Sequence, residues 1–146
     1  MSSQSTLKIG SKKSNSESET KAFGFSLGTQ LIAPTVIALY GDLGAGKTTL
    51  IKGIASGYAN LTENAIQSPT FTLHHIYDGE KPLHHFDLYR LKSPQDFIDR
   101  GFEDELFSSS VVIIEWAERI ESLLPKNALK ITIKDIGPNN RTIEVA

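Results

Sequence analysis

The sequence contains no cysteine. That absence excludes a disulfide framework and a thiolate metal site, and it fits a reducing compartment. No apolar run approaches the ~18 residues that a membrane-crossing helix needs, and Met1-Ser2-Ser3-Gln4-Ser5-Thr6 forms no apolar core of the secretory kind. A soluble cytoplasmic protein is the expectation. Neither sign of charge dominates, since 15 basic side chains stand against 17 acidic ones for a formal net charge of −2. No global field therefore draws the chain onto nucleic acid by counterion release, and a role on RNA would be local or run through a partner. The guanine signature Asn-Lys-x-Asp is missing, as are internal repeats and long low-complexity tracts. At 146 residues one domain spanning 1–146 is expected, large enough to bury roughly two thirds of its unfolded surface.

What is present is concentrated first in eight residues. Gly41-Asp42-Leu43-Gly44-Ala45-Gly46-Lys47-Thr48 match G-x-x-x-x-G-K-[ST] without a gap, the pattern of a phosphate-binding loop. Glycines let the backbone curl so that successive N–H groups face one anion, and those donors sit at a helix N-terminus carrying partial positive charge. Lys47 can then reach the β- and γ-phosphates of ATP, and the Thr48 hydroxyl can ligate Mg²⁺. Asp42, Leu43, Gly44, Ala45, Gly46, Lys47, Thr48 and Thr49 are the nucleotide-contacting candidates. The context fits: the apolar run Thr35-Val36-Ile37-Ala38-Leu39-Tyr40 precedes the loop, and a helical stretch to about Tyr58 follows it.

This strand–loop–helix unit opens an α/β fold of the P-loop NTPase type, a mainly parallel sheet flanked by helices with antiparallel hairpin strands. Before it, Thr6-Leu7-Lys8-Ile9 reads as a short edge strand and Gly10 to Ser18 as a polar, serine-rich loop. Phe23, Leu27 and Leu31 recur at i, i+4, i+8, which predicts a helix over Thr20 to Ala33, ended by Pro34. After the unit, β-prone runs at Ser68 to Tyr77 and Leu83 to Arg90 surround an Asp78-Gly79 turn and predict a hairpin. Ser93 and Pro94 predict an N-cap and first helical residue, with Gly101 as the stop. A second short helix is expected over Phe102 to Phe107. Val111-Val112-Ile113-Ile114 has the continuous apolar character of a strand inside a parallel sheet. A helix over Ala117 to Leu124 and a terminal hairpin, Leu129 to Ile133 with Thr142 to Val145, complete the chain.

Hydrolysis needs a second metal anchor and a group that positions water. Glu115, at the end of the apolar strand, is the anchor candidate, binding Mg²⁺ directly or through water. Glu118 is a second carboxylate, better explained as a charged first helical turn. Asp87 is the candidate for orienting or deprotonating water, and with Lys47 it makes the catalytic pair. It shares a strand face with His85. Thr70, beside Pro69, resembles a switch residue sensing a γ-phosphate. His74, His75, His84 and His85 invite a zinc reading, but strand neighbours face opposite sides, so two or three at most converge, and no cysteine supports them. Trp116 is either a core residue or an aromatic open to a partner.

Gly-Asp-Leu-Gly-Ala-Gly-Lys-Thr-Thr at 41–49, Ser-Pro-Thr-Phe at 68–71, His-Phe-Asp-Leu-Tyr-Arg at 85–90 and Glu-Trp-Ala-Glu at 115–118 together resemble the TsaE (YjeE) family. These are small bacterial ATPases of the threonylcarbamoyladenosine modification of tRNA. The resemblance implies nucleotide and Mg²⁺ binding by Lys47 and Thr48, a Mg²⁺ ligand at Glu115 and support of hydrolysis by Asp87. It also implies a TsaB–TsaD-like heterodimer as partner, driven or reset by ATP, with tRNA reached through that complex. A small-molecule or nucleoside kinase is the alternative, although Arg90, Arg100, Arg119 and Arg141 are scattered singly and form no lid. A nucleotide switch with negligible turnover is another.

Overall fold

The computed structural model describes residues 10–42, 46–67, 69 and 71–146. In chain order they form β1 (Gly10–Ser14), α1 (Glu17–Gln30), β2 (Thr35–Tyr40), α2 (Lys47–Ala59), a 3₁₀ turn (Glu63–Ala65), β3 (His74–Asp78) and β4 (Pro82–Asp87). Then follow α3 (Pro94–Asp99), α4 (Glu103–Leu106), β5 (Val111–Glu115), a 3₁₀ helix (Ala117–Leu123), β6 (Leu129–Gly137) and β7 (Asn140–Val145). The strands share one sheet in the order β1-β7-β6-β2-β5-β4-β3. β2 lies between β5 and β6 and is parallel to both, and β4 runs parallel to β5 beyond it. The flanks are antiparallel, β3 on β4 at one edge and β6, β7 and β1 in succession at the other. This is the expected α/β arrangement of the P-loop NTPase type. Ile37, Ala38 and Leu39 of β2 and Val111 to Ile114 of β5 have no exposed surface, so polar alternation is absent where helices cover both faces. Among the described residues no helix is long and apolar enough to cross a membrane.

One face of the sheet, with Ile37, Leu39, Leu83, Ile113 and Ile131, packs with α1 and α2. α1 starts at Glu17 rather than Thr20 and stops at Gln30 rather than Ala33. Ser16 sets the start: its hydroxyl accepts from the Glu19 N–H at 3.0 Å, while the Glu19 carboxylate accepts from the Asn15 N–H at 2.6 Å. Leu27 and Leu31 are buried as the expected stripe requires, yet glycines make the closest approach. A Cβ on Gly24 would lie 2.6 Å from the Leu50 carbonyl oxygen, and one on Gly28, Gly53 or Gly57 would collide with a carbonyl oxygen of the facing helix. The two helices thus meet backbone to backbone.

The other face, with Ala38, Phe86, Val112 and Ile114, packs with α3, α4 and the 3₁₀ helix. Rings of Phe86, Phe97 and Phe102 fill it at centroid separations of 5.2 to 5.4 Å. Ser93 caps α3 by accepting from the Asp96 N–H at 3.1 Å, Pro94 stands in the first turn, and Gly101 with φ +79° follows its end. The segment expected as a helix over Ala117 to Leu124 is 3₁₀ and kinked at Ile120.

Two expectations need correction. Gly10 to Ser18, read as a loop, is divided between β1 and the start of α1. An edge strand needs only backbone partners, which β7 supplies from Gly10↔Val145 to Ser14↔Arg141, so its exposed polar side chains carry no strand signal. The strand expected at Thr6 to Ile9 lies outside the described residues. The run from Ser68 becomes strand only at His74, because Leu73 takes φ +65° and its N–H donates to the Pro69 carbonyl at 2.7 Å, a turn.

Candidate functional site

The register of the parallel strands brings Leu39, Glu115 and Asp87 side by side at the ends of β2, β5 and β4. α2 begins beside them at Lys47, with Gly46 as its N-cap in the left-handed region at φ 98°. A side chain there would be strained, which is the local reason for glycine before the lysine. Between these elements lies a cleft of ≈ 490 Å³ whose walls include Gly46, Lys47, Thr48, Thr49, Asp87 and Glu115. It stands outside the carboxyl ends of the parallel strands, where open α/β sheets receive ligands. Asp42 is exposed. Leu43, Gly44, Ala45 and Thr70 lie outside the described residues.

Lys47 is 5% exposed, and its Nζ has no hydrogen-bond partner among the described residues. It lies 3.9 Å from the centroid of the Trp116 ring. Burial pushes the ammonium below its ordinary value, while the carboxylates of Glu115, Glu118, Asp87 and Asp42 pull it back. A buried ammonium without an oxygen partner is costly, so the site is chemically suited to an anion that would supply one. Trp116 holds this contact with its own backbone in the left-handed region, φ 59° and ψ 43°. A non-glycine residue there costs about 1–3 kcal/mol. Its ring also lies 5.0 Å from that of Tyr89. Between a core residue and an aromatic open to a partner, its position is intermediate: it is half-buried against the core and lines the cleft.

Glu115 is buried, and its Oε2 accepts from His85 Nε2 at 2.8 Å. A carboxylate only accepts, so His85 carries its proton on Nε2. His85 Nδ1 meets the Tyr77 hydroxyl at 3.1 Å, and that hydroxyl donates to the Gln67 carbonyl at 2.5 Å and accepts from the Gln67 N–H at 3.2 Å. A buried chain from the edge hairpin thus fixes one oxygen of Glu115, the kind of outer support that orients carboxylate ligands. Asp87 is also buried, and its Oδ1 accepts from the Tyr89 N–H at 3.1 Å. Arg90 lies over the Phe71 ring at 4.7 Å from its centroid. Thr48 is exposed to the cleft, whereas Thr49 Oγ1 donates to Glu17 at 3.4 Å. Glu118 is exposed in the first turn of the 3₁₀ helix. His74 and His84 face away from the cleft, on the side of Phe86, and His75 is exposed.

Lys47, Thr48, Asp87 and Glu115, the candidates the sequence offers, all border this one cleft. Sequence reasoning missed Ser16, Thr20, Asn139 and Arg141, which line the same cleft. Arg141 reaches it from β7, its Nη1 held by the Asn140 carbonyl at 2.9 Å and by Asp135 at 3.2 Å. These positions carry no motif; pairing of β1 with β7 is what brings them near the loop. The donor set of the cleft, a hydroxyl and a carboxylate oxygen beside a buried ammonium, is of the oxygen type that Mg²⁺ prefers.

The family model described as "Threonylcarbamoyl adenosine biosynthesis protein TsaE" matches residues 14–143. A tRNA threonylcarbamoyladenosine biosynthesis protein TsaE from Treponema pallidum is 40% identical over 133 residues, covering 91% of this chain and 97% of that protein. The protein of that name from Bacillus subtilis is 40% identical over 126 residues, covering 86% and 77%. A solved structure, the crystal structure of Bacillus subtilis YdiB, matches with a TM-score of 0.73 and 35% identity, covering 96% of this chain and 86% of that one.

Proposed function

Because this chain belongs to the TsaE family, we propose that it is the ATP-binding and slowly hydrolysing subunit that drives or resets a TsaB–TsaD-like heterodimer in threonylcarbamoyladenosine modification of tRNA. One domain carries this activity, and tRNA is reached through the complex. The observation that carries the reading is Lys47, a buried ammonium with no hydrogen-bond partner among the described residues, between Trp116 and the carboxylates around it.

In this reading Asp42 to Thr49 wrap the phosphates and Lys47 leaves the indole face to bind the β- and γ-phosphate oxygens. Thr48 Oγ1 and Glu115 would hold Mg²⁺, which when bound neutralises phosphate charge. His85 keeps Glu115 aimed. Asp87 orients a water and takes its proton as the water oxygen bonds to the γ-phosphorus; the bond from phosphorus to the bridging oxygen breaks, releasing ADP and phosphate.

Calorimetry with Lys47→Ala is expected to show no ATP binding; retained affinity would make the loop structural. Asp87→Asn is expected to bind ATP nearly normally while turnover falls by about a thousandfold, within the range of a general base. Turnover should also rise when a TsaB–TsaD pair is added. Phosphate transfer to a small acceptor, without that rise, would favour a kinase.

A further inference from the structure

On the face of the sheet opposite the cleft, three metal-ligating side chains converge. His74 and His84 come from adjacent strands, where His74 pairs with Phe86 and Ile76 with His84, so both imidazoles share the Phe86 side. Glu105 reaches them from α4. His74 Nε2 lies 3.1 Å from His84 Nδ1, and Glu105 Oε2 lies 3.4 Å from the same His84 nitrogen. One ligand atom from each residue falls within 4.8 Å of the others.

A single proton does not satisfy this arrangement. If His84 Nδ1 carries it, the imidazole of His74 and the carboxylate of Glu105 both compete for one N–H. If His74 carries it, Glu105 faces a lone pair on His84. A cation among the three atoms would serve them all. The spacing admits one: with ligands about 2.0–2.2 Å from a tetrahedral Zn²⁺, neighbouring ligand atoms stand about 3.3–3.6 Å apart, against 3.1 and 3.4 Å for the two pairs at His84 Nδ1 and a third pair within 4.8 Å. Burial lowers the proton affinity of both imidazoles, aided at His74 by the neighbouring His84 and opposed at both by the Glu105 carboxylate. The His74 ring is already held, stacked on Phe86 at 4.4 Å and flanked by Phe102 at 5.6 Å.

We propose that His74, His84 and Glu105 form a binding site for a divalent transition-metal ion of the zinc type, distinct from the nucleotide cleft and leaving a fourth position to water. Two imidazoles and one carboxylate favour Zn²⁺ over Mg²⁺, whose preference is for an all-oxygen shell. The ion joins α4 to the hairpin of β3 and β4, elements otherwise connected through side-chain packing.

The test uses the full chain, free of any affinity tag, titrated with Zn²⁺ in the presence of excess Mg²⁺, with Co²⁺ absorption as a readout of coordination. One Zn²⁺ per chain is expected, together with a four-coordinate Co²⁺ spectrum. Glu105→Gln and His74→Ala should each weaken binding by about tenfold or more, and His75→Ala, on the other face of the strand, should leave it unchanged. Absence of uptake in molar excess of Zn²⁺ would overturn the proposal, as would uptake undiminished by Glu105→Gln. That partly exposed residue keeps the test decisive should His74→Ala fail to fold. Zn²⁺ should likewise raise the melting temperature of the parent chain and not that of Glu105→Gln.

Discussion

The two faces of the sheet are covered by different physics. On the cleft face, α1 and α2 touch through Gly24, Gly28, Gly53 and Gly57, so backbone meets backbone with no side chain between them. On the other face, short helices rest on interlocked rings of Phe86, Phe97 and Phe102. Side chains can shift rotamer to absorb a change, whereas two apposed backbones have nothing to yield. The helix that presents Lys47 is therefore fixed by steric contact along its length, and the face without the cleft retains more freedom to repack.

The sharpest way to break that contrast is to add one methyl group. Gly53→Ala should cost about 3 kcal/mol of stability, at the upper end of ordinary overpacking, measured by denaturant or thermal unfolding. A negligible loss would show that the helices part easily and that the faces are alike. Next, His85→Gln should reduce Mg²⁺-dependent ATP turnover by about thirtyfold with little change in nucleotide affinity, the usual range for a group that orients a ligand. The same exchange at His84, which points to the opposite face, should leave turnover intact; equal losses would assign the effect to the hairpin as a whole. On the aromatic face, Phe97→Leu should cost about 1.5 kcal/mol, as a tolerated change of core shape does. Its cost should therefore fall below that of the smaller chemical change at Gly53. Finally, Ser16→Ala and Ser93→Ala each remove a helix cap and should each cost about 1 kcal/mol. Ser16→Ala alone should also alter nucleotide affinity, because Ser16 borders the cleft.

The parts of the molecule legible from sequence were those with local signatures. The loop pattern placed Lys47 at the head of α2, the uninterrupted apolar run Val111 to Ile114 announced a parallel strand, and Ser93-Pro94 marked the start of α3. Glu115 is nominated by its position at a strand end and Asp87 by the strand face it shares with His85, but their adjacency is a property of register, which no single strand encodes. The contact of α1 with α2 escaped because glycines contribute nothing to an apolar stripe; Leu27 and Leu31 gave the face, and the glycines set the distance. β1 escaped for the opposite reason, being polar and exposed with its pairing entirely in the backbone. The histidine pairs were read correctly as facing opposite sides, yet the partners that give them meaning, Glu115 for His85 and Glu105 for His84, lie 30 and 21 positions away in the chain.

Ser16 and Glu17 border the cleft from near the start of the described chain, and Asn139 and Arg141 border it from near the end. A ligand held between them binds the folded chain and not the unfolded one. By mass action, nucleotide at about a hundredfold excess over its Kd would add about 2.7 kcal/mol to the free energy of unfolding. On the reading proposed above, ATP and ADP act as a clasp between distant stretches of sequence. The protein's survival against heat and proteolysis then follows the size of the surrounding nucleotide pool.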